Sequence, residues 1–395
     1  MPSPSRPADW PAIWMLATAQ TLAWAGLYYI FAALLLEWER SLGWSRTEIT
    51  LALTLAVLAS GLAAPLAGRL IEAGHARYLF GGGTALGGAL IALLPAATTQ
   101  KAFYALWIGI GLCHATALYE PCFAMLSRAQ GAAARRAITL ITLVAGFASA
   151  LAFAGGAVST AALGWQGTAY GFAGLVVLVA APLAYLGTRR IESRAIPPVS
   201  MPQGQETPAR TRRSVALTLG LAFPMMALSH GMLLTHLLPL LDARGTAPAL
   251  AVLAAALIGP MQVVGRVAMM RLEDRVESLT VAQVSFGGVA AAALLLLASP
   301  WMPALIFAAV ILHGAAYGLI SILKPVVTAE LLGQSGIARM LSWMALPYLA
   351  SFALAPFLGA LFWRWSGYEA MLLAGSLFAL LGGAGLSLAH RLARR

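Results

Sequence analysis

Apolar runs, each long enough to cross a bilayer as a helix, recur along the whole chain, and nothing else in the sequence constrains the fold as strongly. A crossing takes about 20 residues. Runs of that kind fall near 11–36, 47–70, 78–97, 102–126, 137–160 and 167–187, and again near 213–241, 247–270, 279–298, 301–324, 340–362 and 368–389. The chain is 60% hydrophobic and 10% charged, against about 45–50% and 25% for a soluble domain. No single soluble core hides so much apolar surface, because cores stop growing at about 250–300 residues. Lipid as solvent removes the conflict. Barrel strands would alternate polar and apolar residues, and these runs do not. The expected fold is therefore an all-α membrane protein with twelve transmembrane helices.

Orientation follows from the basic residues, which collect on the cytoplasmic side of a membrane protein. With the N-terminus inside, twenty of the 25 Lys and Arg residues fall in inner loops. Only Arg40, Arg46, Lys101, Arg244 and Arg364 fall outside. Both termini are expected to be cytoplasmic, in a bacterial-type inner membrane. The polar, Pro-rich start has no small-residue cleavage site after the first run, so that run is expected to stay as a helix. The net charge of +11 sits in short loops, with no aromatic-rich soluble domain beside them, which argues against nucleic acid. Cys113 and Cys122, nine apart on one helix, point to opposite faces, so neither a disulfide nor a metal site is expected. No nucleotide loop, no His-Glu-x-x-His spacing and no Ser-His-Asp set suggests an enzyme or a cofactor.

Residues 188–212, polar and rich in Pro and Arg, fall at the middle of the chain. They divide it into 1–187 and 213–395 and read as a cytoplasmic linker between two six-helix bundles. The halves echo each other: Leu66-Ala67-Gly68-Arg69-Leu70 ends the second run, and Val264-Gly265-Arg266-Val267 recurs late in the eighth. Such repeats are common in carriers, where one bundle rocks against the other around a midplane site.

Six plus six helices, a basic central loop and the stretch Gly68-Arg69-Leu70-Ile71-Glu72-Ala73-Gly74-His75-Ala76-Arg77 resemble the major facilitator superfamily. That family's loop between helices 2 and 3 reads Gly-x-Leu-x-Asp-Arg-x-Gly-Arg-Arg or Lys. Here Glu72 stands for the Asp, Ala73 for the Arg, and the second Gly comes early. The resemblance implies a gate loop built on Gly68, Arg69, Glu72 and Arg77. Leu42-Gly43-Trp44-Ser45-Arg46-Thr47-Glu48, and Gln262 with Gly265-Arg266, are similar to the branch of oxalate/formate antiporters and monocarboxylate transporters. In that branch an Asn-x-x-Gly-Arg pattern supplies a carboxylate-binding Arg, while Gln262 departs from the usual Asn.

The family layout places helices 1, 4, 7 and 10 around a central cavity between the two pseudo-symmetric bundles. Polar groups in hydrocarbon are costly and mark pathways, so the candidate solute contacts are those on these helices. They are Gln20, Trp24 and Tyr28 at i, i+4, i+8, then His114, His230, His236, His313 and Tyr317, joined by Gln262 and Arg266. Each histidine has a plain alternative as a ring bonded to a neighbouring backbone. Glu120, in Tyr119-Glu120-Pro121, is the candidate proton carrier, because a carboxyl group away from water takes up a proton readily. Its alternative is a structural lock with Arg128 or Arg135. Arg266 either holds a carboxylate with its planar fork or snorkels to the inner surface. The expected function is secondary transport of a small organic anion such as a monocarboxylate, linked to protons. Export of a hydrophobic or cationic compound is the rival. Two halves make a complete pathway, so a monomer is expected.

Overall fold

The structure, a computed structural model, describes residues 9–130, 134–193, 209–272, 276–332 and 337–394. The side chains of Glu120, Arg128 and Arg135 lie outside that description, as does most of the linker, 194–208. Among the described residues, nine helical runs are long and apolar enough to cross a membrane, and ten if one bent pair counts as one. They run Trp10–Leu42, Arg46–Glu72, Ala76–Ala96, Gln100–Phe123, Arg136–Glu192, Arg213–Ala243, Pro248–Met269, Ser278–Ala298 and Leu346–Ala393. Leu305–Gly318 and Ile320–Leu332 form the pair, bent by 41°. Helices suit this chain because lipid offers no partner to a backbone N–H or C=O. Leu62, Val158 and Leu178 are 85%, 73% and 75% exposed, an outward face that belongs in lipid rather than water.

The breaks have identifiable causes. Gly164 (φ 69°, ψ 173°) interrupts Arg136–Glu192, and Gly367 (φ 76°, ψ −173°) interrupts the helix Ile337–Ala393. Those angles are essentially open to glycine alone. The predicted segment 102–126 is divided at Leu118, whose backbone is extended, into Gln100–Ala117 and Tyr119–Gln130. Pro121 has no N–H to give the Ala117 carbonyl four residues back, which is how proline breaks a helix. Residues Trp24–Tyr29 within the first run are wound as a π-helix, a bulge that changes which side chains share a face.

The chain divides into two compact units, Met1–Trp44 with Leu55–Ser200, and Ser45–Thr54 with Met201–Arg395. In the first, Ile13, Leu16, Phe80, Cys122 and Ile141 belong to one core cluster. Phe31, Trp38, Phe103 and Trp107 interlock edge to face or tilted, with centroids 4.7–6.3 Å apart. Gly111 lies so close to the helix Arg46–Glu72 that a Cβ there would sit 2.6 Å from the Cα of Ala56. Asp9 caps the first helix and pairs with Arg190 at 3.3 Å, tying the start of that helix to the end of Arg136–Glu192.

In the second unit, Leu219, Phe223, Phe286, Val289 and Leu323 form the core. Close approach recurs between Pro248–Leu272 and Leu305–Gly318, where a Cβ on Gly318 would sit 2.6 Å from the Cα of Gln262. Ser45 and Glu48 make a reciprocal cap: the carboxylate accepts from the Ser45 N–H at 2.8 Å, and the Ser45 hydroxyl accepts from the Glu48 N–H at 3.3 Å. Part of the Leu42–Glu48 motif is thereby explained as a helix start. Arg46, one residue on, stacks over Trp363 at 4.3 Å and donates to the Tyr368 hydroxyl. Arg244 donates to Ser299 and faces Glu369 at 3.6 Å; burial lowers its guanidinium from the ordinary value, and Glu369 opposes that shift.

Candidate functional site

In the first unit, four candidate residues gather around the two irregular stretches of helix. Gln20 is buried, and its Nε2 donates at 2.7 Å to the Ala117 carbonyl that Pro121 leaves without an N–H. His114, 4% exposed, donates through Nε2 at 3.0 Å to the Leu27 carbonyl in the π-helical stretch. A carbonyl only accepts, so this bond fixes the proton on Nε2. Trp24 stands 5.3 Å from Tyr28, edge to face, and 4.8 Å from Tyr119, while Tyr28 lies 6.1 Å from His114. Among the described residues, the Trp24 indole N–H and Gln20 Oε1 are buried without a partner. Gln20 and His114 thus fasten irregular backbone, and Trp24 and Tyr28 make an aromatic wall beside Tyr119.

In the second unit, two more candidates behave as fasteners. His236, fully buried, donates through Nε2 at 2.8 Å to the Pro356 carbonyl. Gly359 leaves room for the ring, since a Cβ there would lie 2.8 Å from Nε2. Arg266 is 6% exposed, and its Nε donates at 2.8 Å to the carbonyl of Gly318, where the bent pair turns. Gln262, 7% exposed, lies on the same helix against Gly318. A guanidinium this deeply covered does not snorkel to the surface.

His230 and His313 differ in kind, because each binds the other. Nδ1 of His230 and Nε2 of His313 are 2.9 Å apart, and the rings are 2% and 1% exposed. Tyr317 stacks on His230 with centroids 3.3 Å apart and planes within 6°. The Tyr317 hydroxyl meets the Tyr348 hydroxyl at 3.1 Å, and Lys324 Nζ lies 4.0 Å above the Tyr348 ring. The sequence gives no role to Tyr348 or Tyr119, and Lys324, at the end of the run 301–324, reads there as a cation that snorkels; the structure sets it over the Tyr348 ring. A cavity of about 10 Å³, lined by Ser229, Met232, Val289, His313, Leu372 and Gly375 among others, adjoins the pair.

The gate stretch is a helix end. Gly74 (φ 83°) turns the chain after Glu72, its N–H bonding to Ile71 while His75 N–H bonds to Leu70. That turn explains why glycine comes one place early. Arg69 and Glu72 are exposed, Gly68 has open space where a side chain would be, and Arg77 stacks over Tyr78 at 4.8 Å. Among the described residues, no three His, Cys, Asp or Glu side chains group as a metal site.

Comparison with known proteins agrees with the helical layout. The chain is similar in fold to the crystal structure of a bacterial homolog to the human lysosomal transporter Spinster, inward-facing and unoccupied. The TM-score is 0.71 at 13% identity, covering 98% of both chains. The inward-facing and occupied form matches with the same TM-score and identity over 96% of both. No curated protein sequence matches. The profile of the Major Facilitator Superfamily matches residues 16–345. With long apolar helices along its length and that match over most of it, this multi-pass membrane protein belongs to the Major Facilitator Superfamily.

Proposed function

We propose that the protein is a secondary active transporter that moves a small organic anion, such as a monocarboxylate, by proton-linked alternating access. The observation that carries the anion reading is Arg266, a guanidinium 6% exposed beside Gln262 and the Gly318 bend. Burying a permanent positive charge is expensive, and a planar fork suits a carboxylate.

The reading includes twelve crossings in two pseudo-symmetric bundles, 1–187 and 213–395, joined by the 188–212 linker. Ten spans become twelve when the two long runs broken at Gly164 and Gly367 count as two each. It includes both termini in the cytoplasm of an inner membrane, a monomeric carrier, and Glu120 as the proton carrier. A second reading, export of a hydrophobic or cationic compound, draws support from the Trp24, Tyr28 and Tyr119 cluster, because aromatic faces attract cations.

The test is reconstitution in liposomes under a pH gradient, with labelled short organic acids set against lipophilic cations. Acids are expected to accumulate with the gradient, and Arg266→Lys to lower their affinity about tenfold or more, since ammonium lacks the fork. Glu120→Gln is expected to uncouple uptake from protons while binding persists. Accumulation of the cations alone would establish the second reading instead.

A further inference from the structure

We propose that His230 and His313 are a proton-carrying pair that takes up one proton from a water in the small cavity beside His313. Its place in a transport cycle rests on the reading above; its geometry does not.

A neutral imidazole has one N–H and one lone pair. Across the 2.9 Å contact between His230 Nδ1 and His313 Nε2, one ring therefore donates and the other accepts. The rings are parallel within 11°. Among the described residues, the outer nitrogen of His313, Nδ1, is buried and has no partner. His313 also lines the cavity of about 10 Å³ together with Ser229, the smallest volume that admits a single water. The orphaned nitrogen and the water-sized void are separate observations, and they meet at one ring.

Proton counting limits what the pair can hold. The neutral pair carries two protons on four nitrogens. A third gives a cation with one proton at the centre and one at each outer nitrogen. A fourth would set two N–H groups head to head across 2.9 Å, so uptake stops at one. On uptake, a proton on the cavity water bonds to His313 Nδ1 and leaves water behind. The central proton is then shared between His313 Nε2 and His230 Nδ1, and release returns a proton from His313 Nδ1 to the cavity water. One N–H bond forms at His313 Nδ1 on uptake and breaks there on release, with no change of oxidation state.

Among the described residues, the titratable groups facing the pair are Tyr317, stacked on His230, with Tyr348 and Lys324 beyond it. Helix Ser278–Ala298 brings Val289 and Ala293, and the chain after Gly367 brings Met371, Leu372 and Gly375, all non-titrating. The Tyr317 face favours a cationic ring through its quadrupole. The Lys324 charge lies past two tyrosines and resists a second positive charge. His236, on the same helix as His230, is bonded to the Pro356 carbonyl instead and serves as the comparison.

The experiment uses the intact protein in detergent without solute, counting protons taken up on acidification from neutral. His230→Gln and His313→Gln are each expected to lose the same single proton, and the double variant to lose no more than either. His236→Gln is expected to add independently to both. Nitrogen NMR of the unsubstituted, ¹⁵N-histidine-labelled protein should show His230 and His313 moving in one shared step. Additive losses at 230 and 313, separate titration steps, or no titration of either ring would overturn the pair. Because no solute is present, a wrong solute class leaves this result readable. A shared proton without proton-driven transport would fault the transport reading and keep the pair.

Discussion

At the scale of single residues, the polar side chains inside the apolar runs sort into two kinds. Gln20, His114, His236 and Arg266 each donate to a backbone carbonyl at or near a helix irregularity or a proline. An unpaired buried carbonyl costs about 1–3 kcal/mol, so these bonds explain why Gln20, His114 and His236 persist in hydrocarbon whatever else they touch. Gln20 offers a clean test. Gln20→Leu should lower the thermal midpoint in detergent, because nothing then meets the Ala117 carbonyl that Pro121 leaves open. In a Pro121→Ala background the restored N–H can reach that carbonyl, and the cost of Gln20→Leu should shrink to a small part. Equal costs in both backgrounds would remove the fastening role. The sequence shows these residues as polar exceptions but not their partners, since Gln20 reaches a carbonyl 97 positions away. For the same reason the pairing of His230 with His313, 83 apart, shows in the sequence only as two histidines in two apolar runs.

At the scale of elements, helices are held by small residues where backbones approach and by glycines where they turn. Gly43 and Gly245 end the first helix of each half with positive φ, and Gly164 and Gly367 do so at the late breaks. Each pair is about half a chain apart, which extends the repeat first seen at Gly68-Arg69 and Gly265-Arg266. The close contact at Gly318 yields a prediction with its own control. Gly318→Ala forces a Cβ to within 2.6 Å of the Gln262 Cα, and overpacking of that kind costs about 1–3 kcal/mol. Gly287→Ala, with nothing within 4 Å, should leave stability unchanged or raise it by the roughly 0.5–1 kcal/mol that alanine gains over glycine in a helix. Thermal unfolding of the two variants should diverge in sign or nearly so, and a tolerated Gly318→Ala would mean the helices part easily. Hydropathy located the helices well because it sums over local residues. The π-helical stretch at Trp24–Tyr29 and the break at Leu118 escaped it, being set by hydrogen bonding and by one proline.

For the whole molecule, the claim with most reach is orientation, which rests on twenty basic residues against five and on no contact at all. It can be read directly in cells with a membrane-impermeant thiol reagent. Cys113 and Cys122 are 3% and 0% exposed, so the parent protein should stay unlabelled and give a clean background. Lys101→Cys and Trp301→Cys place a thiol on exposed residues at the predicted outer ends. Ser193→Cys and Glu277→Cys place one on exposed residues at the predicted inner ends. The first two should label in intact cells, and the last two only after the membrane is opened. Each position tests a different crossing, so the pattern also counts spans. If Lys101→Cys and Trp301→Cys label on opposite sides, one run between them has been miscounted, and twelve crossings with both ends inside cannot stand. If all four reverse together, the count survives but the basic loops face outward, against the charge bias that orients ordinary inner-membrane proteins.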